Sequence, residues 1–134
     1  MRNAILLVLL TFLIACSGKP SNAELERQLW ASLEADGVGE IFSLTEFEKL
    51  NGYEKSDRIY IADVRYQLTF RKDLEAWAEE IQQSSEDKPF EAFGAGMGLV
   101  ALQLRYGNFK AGDTISQADK ITYIKTEKGW RVED

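Results

Sequence analysis

The stretch RIYIADVRYQLTF (residues 58–70) determines how the rest of this 134-residue chain is interpreted. From Tyr60 onward every second residue is apolar, and the residues between them are mostly polar or charged. Alternation with period two is typical of a strand with one buried face in an antiparallel sheet. A strand of this length is not stable alone, so we expect the segment before it to be its hairpin partner.

The preceding segment, residues 39–50, fits that partner strand. Its apolar residues alternate at first and then shift phase, which predicts a bulge or an early end of the strand near Thr45. Asn51 and Gly52 form a dipeptide that favours a turn, and polar residues 53–57 extend that turn into a longer connection.

Three other segments have the period of an amphipathic helix. The first follows Ser21, which forms a capping-box pattern with the glutamate three residues later. The second covers residues 72–83. The third covers residues 89–106 and has a proline in its first turn. Its last part, residues 99–106, also fits a strand, and we favour the helix.

Short strands are predicted at residues 114–116, 121–126 and 130–132, the last two joined as a hairpin. The element order is therefore α-β-β-α-α-β-β-β. This order predicts one α+β domain over residues 22–134, with an antiparallel sheet of four to five strands and about three helices packed on one face.

The first fifteen residues have a different character. Arg2 precedes an apolar run at residues 4–15 that is interrupted only by Thr11. As a helix this run would be about 18 Å long, short of the ~30 Å hydrocarbon core of a bilayer. A positive start, a short apolar centre and a small residue at the end are typical of a secretory signal peptide. A buried core helix is the alternative, and it does not explain why no face is polar.

Residues 13–16, LIAC, resemble the lipobox of bacterial lipoproteins, in which an aliphatic residue, a variable one and a small one precede cysteine. The resemblance implies that the signal peptide (residues 1–15) is cleaved between Ala15 and Cys16. It also implies a diacylglycerol on the Cys16 thiol and a further acyl chain, such as palmitate, on the new amine. Ser17 in place of aspartate implies the outer membrane, facing the periplasm, if the host is Gram-negative.

The charge of the chain limits its partners. The net charge is −6 and there is no basic block, which argues against nucleic acid as a ligand.

Residues 16–21 comprise the lipidated cysteine and a short tether, whose last five residues span at most ~18 Å. We therefore expect the domain to stay close to the membrane, with another envelope protein as its partner.

The residues used most often in catalysis are missing from the sequence. It has no histidine, and its one cysteine is the proposed lipid site, so Ser-His, Cys-His and zinc-thiolate chemistry are excluded. No calcium-loop pattern occurs. We expect no enzyme activity, no catalytic residue, no metal site and no cofactor, while catalysis by carboxylates alone remains a minor alternative.

Two further patterns have both a structural and a functional interpretation. Gly94, Gly96 and Gly98 do not form a dinucleotide fingerprint, because Leu99 stands where the third glycine belongs. Instead, Gly94 and Gly98 lie one turn apart and predict close packing of the helix against a neighbour, with a loosened helix start as another possibility. Asp63 and Arg65 on the polar face of the long strand predict cross-strand ion pairs, in preference to a polar ligand surface.

Two functions fit these observations. The first is a non-catalytic interaction or assembly module, anchored in the envelope by its lipid. The alternative is a carrier of small apolar ligands, with a pocket between sheet and helices. The aromatic residues expected to line that pocket are Tyr60, Tyr66, Trp77 and Phe93.

Overall fold

A computed structural model describes residues 18–134 of the chain. The signal peptide, the cleavage site between Ala15 and Cys16, and the lipidation of Cys16 lie outside the described residues.

The described residues form three α-helices, a short 3-10 helix and four strands. In chain order they are α1 (Asn22–Ala35), the 3-10 helix (Val38–Glu40), β1 (Phe42–Glu54), β2 (Ile59–Phe70), α2 (Leu74–Ser84), α3 (Pro89–Tyr106), β3 (Thr114–Thr126) and β4 (Gly129–Val132). The strands make one antiparallel sheet in the order β1-β2-β3-β4. The predicted α+β class, with a four-stranded antiparallel sheet and three helices, is confirmed.

β3 is a single strand where two were expected, so the order ends in two strands rather than three. It pairs with β2 without a break from Thr114, opposite Thr69, to Ile124, opposite Ile59. The middle of β3, residues 116–120, is polar except for Ala118 and therefore lacks the alternation that marks a strand in sequence. Backbone pairing requires no apolar side chains, and β2 provides a partner for each residue from Thr114 to Ile124.

β1 contains the predicted bulge near Thr45. The register with β2 shifts between Thr45 and Glu48, where β1 has one residue more than β2. Glu46, within this shift, has a positive φ of 50°. A second shift lies between Lys49 and Asn51. Extra residues of this kind bend a strand and increase its twist.

The turn predicted at Asn51 and Gly52 is wrong, because both residues belong to β1, which continues to Glu54. The connection to β2 is made by residues 55–58 instead. Gly52 lies against the ring of Tyr60, and a Cβ at this position would lie 2.3 Å from the Tyr60 hydroxyl oxygen. The glycine therefore makes room for an aromatic ring, a role that the Asn-Gly dipeptide does not reveal.

α1 lies across the inner face of the sheet. It begins as predicted, with the Ser21 hydroxyl accepting a hydrogen bond from the Glu24 amide at 3.1 Å. Leu25 and Leu29 are buried, and the Tyr123 hydroxyl donates a 2.9 Å hydrogen bond to the Leu25 carbonyl. α1 contacts both edge strands of the sheet, β1 and β4. The core face of β2 carries the alternating residues Tyr60, Ala62, Val64, Tyr66, Leu68 and Phe70, all buried.

α2 and α3 pack against each other and join the sheet where β2 ends. Phe70 stacks on Phe109 with ring centroids 4.0 Å apart and meets Tyr106 of α3 edge-on at 5.8 Å. At the start of α2, the Leu74 amide donates to the Phe109 carbonyl at 3.1 Å. Residues 99–106 are helical, as favoured from the sequence.

Candidate functional site

The outer side of α3 exposes a continuous row of large apolar side chains. Their exposed fractions are 92% for Phe90, 72% for Phe93, 58% for Met97, 49% for Val100 and 84% for Leu104. The spacing of three and four residues places all five on one side of the helix. We call these five residues the α3 stripe. An exposed apolar surface of this extent marks an interaction site more often than a solvated surface.

The opposite side of α3 is also apolar, and it is the side that the fold covers. Ala92 is buried, and Leu99, Leu102 and Tyr106 are partly buried against the core. A helix that is apolar all round is normally surrounded by other elements. In α3 only one of two apolar sides is covered within residues 18–134.

The glycines of α3 have free space where a side chain would begin. A Cβ on Gly94, Gly96 or Gly98 would meet no other atom within 4 Å. The expectation that Gly94 and Gly98 pack closely against a neighbouring element is therefore wrong within the described part of the chain. Each glycine costs a helix interior roughly 1 kcal/mol relative to alanine. Here no contact within the described fold offsets that cost.

The charges of α3 are confined to its two ends. Glu91 lies near the start, 3.6 Å from Lys88, and Arg105 lies near the end, above the ring of Tyr106. No other charged residue occurs between Pro89 and Tyr106. Glu91 and Arg105 are fourteen residues apart, so they lie within about 40° of each other around the helix axis. Arg105 lies about 100° and Glu91 about 140° around the axis from the middle of the α3 stripe, so the stripe itself is neutral.

A cavity of about 240 Å³ lies on the covered side of α3, beside α2. Its lining is mainly apolar and includes Ile41, Trp77, Ile81 and Leu99. The indole nitrogen Nε1 of Trp77 is buried and has no hydrogen-bond partner. The Lys72 ammonium lies 4.6 Å from the centre of the same ring system. The cavity therefore has mainly apolar walls, and the buried Trp77 nitrogen is not part of its accessible surface.

The four residues predicted to line a ligand pocket are not brought together. Tyr60 and Tyr66 are buried in the sheet core, whereas Trp77 lines the cavity and Phe93 belongs to the α3 stripe. The Tyr66 hydroxyl donates a 2.8 Å hydrogen bond to the Asp119 carboxylate. Burial, and to a lesser degree this carboxylate, raise the pKa of Tyr66. Aromatic residues in a core and in a pocket have the same sequence pattern, so the pattern could not separate them.

The outer face of the sheet carries the predicted cross-strand ion pairs. Arg65 lies 2.5 Å from Glu48 on β1, and Asp63 lies 3.9 Å from Lys120 on β3. These side chains are largely exposed, and exposed ion pairs contribute little to stability. The charged side chains on this face pair with one another, so the pattern that suggested a ligand surface is explained by these ion pairs.

The α3 stripe is far from the start of the described chain. Gly18 lies beside Lys125, at the end of the sheet where β1 turns into β2. α3 joins the sheet at the other end, through Tyr106 and Phe70. The 12 residues of β2 separate these ends by about 36 Å. The stripe and Gly18 therefore lie at opposite ends of the sheet.

Residues 18–134 contain neither a cluster of metal ligands nor a membrane-spanning helix. No group of three or more aspartate, glutamate, histidine or cysteine side chains there is arranged to hold a metal ion. None of the helices described is long and apolar enough to cross a membrane. The chain matches no known family model, no curated protein and no solved structure. The α3 stripe and the Trp77 cavity are the features that bear on function.

Proposed function

We propose that this protein is a lipid-anchored envelope lipoprotein whose domain binds another protein through the α3 stripe and performs no catalysis. The observation that carries the proposal is the exposure of five large apolar side chains on one helix side. The lipid on Cys16 would hold the domain at the membrane, on the periplasmic side of the outer membrane in a Gram-negative host.

The strength of such an interface can be estimated from the stripe. Burying one large apolar side chain contributes about 1.5–3 kcal/mol. Five such residues together exceed the lower part of the ~4–15 kcal/mol that association costs. The α3 stripe is therefore large enough to drive binding of moderate affinity without help from charged groups.

A protein fits the stripe better than a bilayer does. Helices that lie in a membrane surface carry several lysines or arginines on their polar side, whereas α3 carries one arginine and one glutamate. The stripe also lies at the end of the sheet farthest from Gly18, from which the short tether leads to Cys16. A lipid anchor at one end of the domain would leave the docking surface at the other end accessible to a partner protein.

Site-specific photo-crosslinking in cells tests this proposal. A photoreactive amino acid replaces Phe93 in the full-length chain, and a matched control replaces Glu79, which is exposed on α2. We expect a discrete crosslinked species from position 93 and none from position 79. Equal, diffuse crosslinking from both positions at native abundance would contradict a docking role for the stripe.

The Trp77 cavity supports a second candidate function, the carriage of a small apolar ligand. At about 240 Å³ it is smaller than most drug-sized ligand sites, so its occupant would be small. Native mass spectrometry of protein purified from cells should then reveal a bound apolar compound. Replacing Ala95 on the cavity wall by phenylalanine should displace it, whereas a ligand-free wild-type protein would contradict this function.

A further inference from the structure

We propose that the free edge of β3, residues 114–120, binds an extended segment of another protein as an additional antiparallel strand of the sheet. We call this stretch the β3 edge. It is a surface separate from the α3 stripe, so this inference goes beyond the proposed function and does not depend on it.

The β3 edge is open because β4 is short. β4 has four residues and lies beside residues 123–126 of β3. The Glu133 amide adds one further hydrogen bond, to the Thr122 carbonyl at 2.9 Å. Among the described residues, no strand pairs with residues 114–121 on the side of β3 that faces away from β2. Most side chains of the β3 edge are exposed.

The backbone of β3 directs its polar groups alternately towards β2 and towards the open side. The Phe70 amide donates to the Asp113 carbonyl, and the Lys125 amide donates to the Arg58 carbonyl, both at 2.8 Å. The odd-numbered residues of β3 therefore face β2, and the N–H and C=O groups of the even-numbered residues point away from it. Within residues 18–134 these groups have no hydrogen-bond partner at four residues, which are Thr114, Ser116, Ala118 and Lys120.

Another extended backbone is the structure that can satisfy these groups together. Alternate residues of a strand are about 6.6 Å apart, and a second strand presents its own N–H and C=O groups at the same spacing. Neither a helix nor a small molecule has this repeat. The ligand class of the β3 edge is therefore an extended peptide segment, held by main-chain hydrogen bonds.

The opposite edge of the sheet does not offer such a surface. The register of β1 shifts twice, between Thr45 and Glu48 and between Lys49 and Asn51. Bulges are one of the ways in which proteins protect an edge strand from pairing with another chain. β3 pairs with β2 without a shift, so its free edge is regular.

Two side chains of β3 indicate which segment fits. Ile115 and Asp119 lie four residues apart on the same face of the sheet, and Ile115 is partly buried whereas Asp119 is exposed. Apolar pairs and opposite charges across neighbouring strands are favourable. In an antiparallel strand, the residue opposite Asp119 comes four positions before the residue opposite Ile115. The partner segment should therefore have a lysine or arginine followed four residues later by an apolar residue.

A second copy of this chain fits the edge poorly. If residues 114–120 paired with their equivalents around a two-fold axis, Ile115 of one copy would lie opposite the Asp119 carboxylate of the other. The same register would place Asp113 of one copy next to Glu133 of the other, where the two carboxylates repel. These mismatches favour a different protein as the partner.

Binding of a synthetic peptide to the full-length chain, purified from cells in detergent, tests the proposal. The capped seven-residue peptide has lysine at its second position, valine at its fourth and sixth positions and threonine elsewhere. Its lysine is then opposite Asp119 and its last valine opposite Ile115. We expect saturable binding in fluorescence anisotropy, with slower amide hydrogen exchange confined to residues 114–120. The same peptide N-methylated at its third and fifth positions should not bind, because it lacks N–H donors that face the β3 edge.

Two variants at one position provide a matched comparison. The Ala118 amide points away from β2, so neither Ala118→Pro nor Ala118→Val removes a hydrogen bond to β2. Ala118→Pro should weaken peptide binding by at least about tenfold, since it removes an N–H donor and places its ring towards the added strand. Ala118→Val keeps the donor and should bind within about twofold of the wild type. Asp119→Lys should weaken binding of the lysine peptide, and a peptide with glutamate in place of the lysine should restore it.

Several outcomes would overturn the proposal. They are equal binding by the two Ala118 variants, exchange protection outside residues 114–120, and no binding at millimolar peptide. Tighter binding of a peptide whose lysine is moved to the sixth position would overturn the antiparallel register. Protection of residues 114–120 that rises with protein concentration in the absence of peptide would assign the edge to a second copy and refute the proposed partner. The docking role of the α3 stripe is tested separately at position 93, so it can stand or fail independently.

Discussion

Replacing Gly52 by alanine should destabilise the domain, even though alanine is usually preferred to glycine in a strand. The expected cause is the ring of Tyr60. A Cβ at position 52 would lie 2.3 Å from the Tyr60 hydroxyl oxygen, 2.8 Å from Cζ and 3.0 Å from Cε1. Separations this short cannot be accommodated unless the ring or the strand moves.

The ring has little room to move. Tyr60 is 4% exposed and packs edge-on against Trp130, with ring centroids 6.5 Å apart. Lys49 Nζ donates a 3.3 Å hydrogen bond to its hydroxyl. Overpacking of a well-packed core costs about 1–3 kcal/mol. The backbone benefit of alanine over glycine, about 0.5–1 kcal/mol, offsets part of that. The net loss in the free energy of unfolding should be about 1–2 kcal/mol.

Urea unfolding of residues 18–134, followed by tryptophan fluorescence, measures this loss. The matched control is Gly96→Ala in α3, where a Cβ meets nothing within 4 Å and the free energy of unfolding should rise by about 1 kcal/mol. The double variant Gly52→Ala/Tyr60→Phe removes the nearest atom and should recover part of the loss. A Gly52→Ala variant as stable as the wild type would refute the close approach of ring and strand.

Three further changes have defined outcomes. Burial raises the pKa values of Tyr66 and Tyr123 above the ordinary value near 10, and Asp119 raises that of Tyr66 further. The folded state therefore holds these two protons more strongly than the unfolded state does. Stability should be constant up to about pH 9 and fall above pH 10, and Tyr66→Phe should reduce that fall in urea midpoints measured from pH 8 to 11. Tyr123→Phe removes the hydrogen bond to the Leu25 carbonyl and should lower the free energy of unfolding by about 1 kcal/mol in urea. Cys16→Ala should abolish acyl labelling and signal-peptide cleavage and release the protein from the membrane fraction.

Each of these changes has a contradicting result. The same alkaline loss in the Tyr66→Phe variant would exclude Tyr66 as a contributor. An unchanged urea midpoint for Tyr123→Phe would mean that the hydroxyl adds nothing to the docking of α1. Normal membrane fractionation and cleavage of the Cys16→Ala variant would refute the lipid anchor.

The elements predicted correctly from the sequence are those in which the pattern of side chains matches their burial or their local hydrogen bonds. β2 has strict alternation because one face is buried along its whole length. The start of α1 was visible because the capping hydrogen bond at Ser21 is local. The phase shift near Thr45 was visible because a bulge moves every later side chain to the other face.

Other features depend on contacts between distant residues and left no local signal. The role of Gly52 is set by Tyr60, which follows the intervening connection. β3 is held by backbone pairing with β2 through a polar stretch. Phe93 and Tyr66 look alike in sequence, and only the packing of α3 against α2 shows that one faces outward. The periodicity of α3 marked it as a helix with apolar residues and did not show which side was covered.

The most direct test of a docking role for the α3 stripe is the accessibility of position 93 in cells. Maleimide labelling of Phe93→Cys is compared between intact envelopes and the purified, dilute protein, with Glu79→Cys as the control and the wild-type chain as the background for Cys16. The account predicts strong protection of position 93 in envelopes and equal labelling of position 79 in both. Equal labelling of position 93 in both would contradict it.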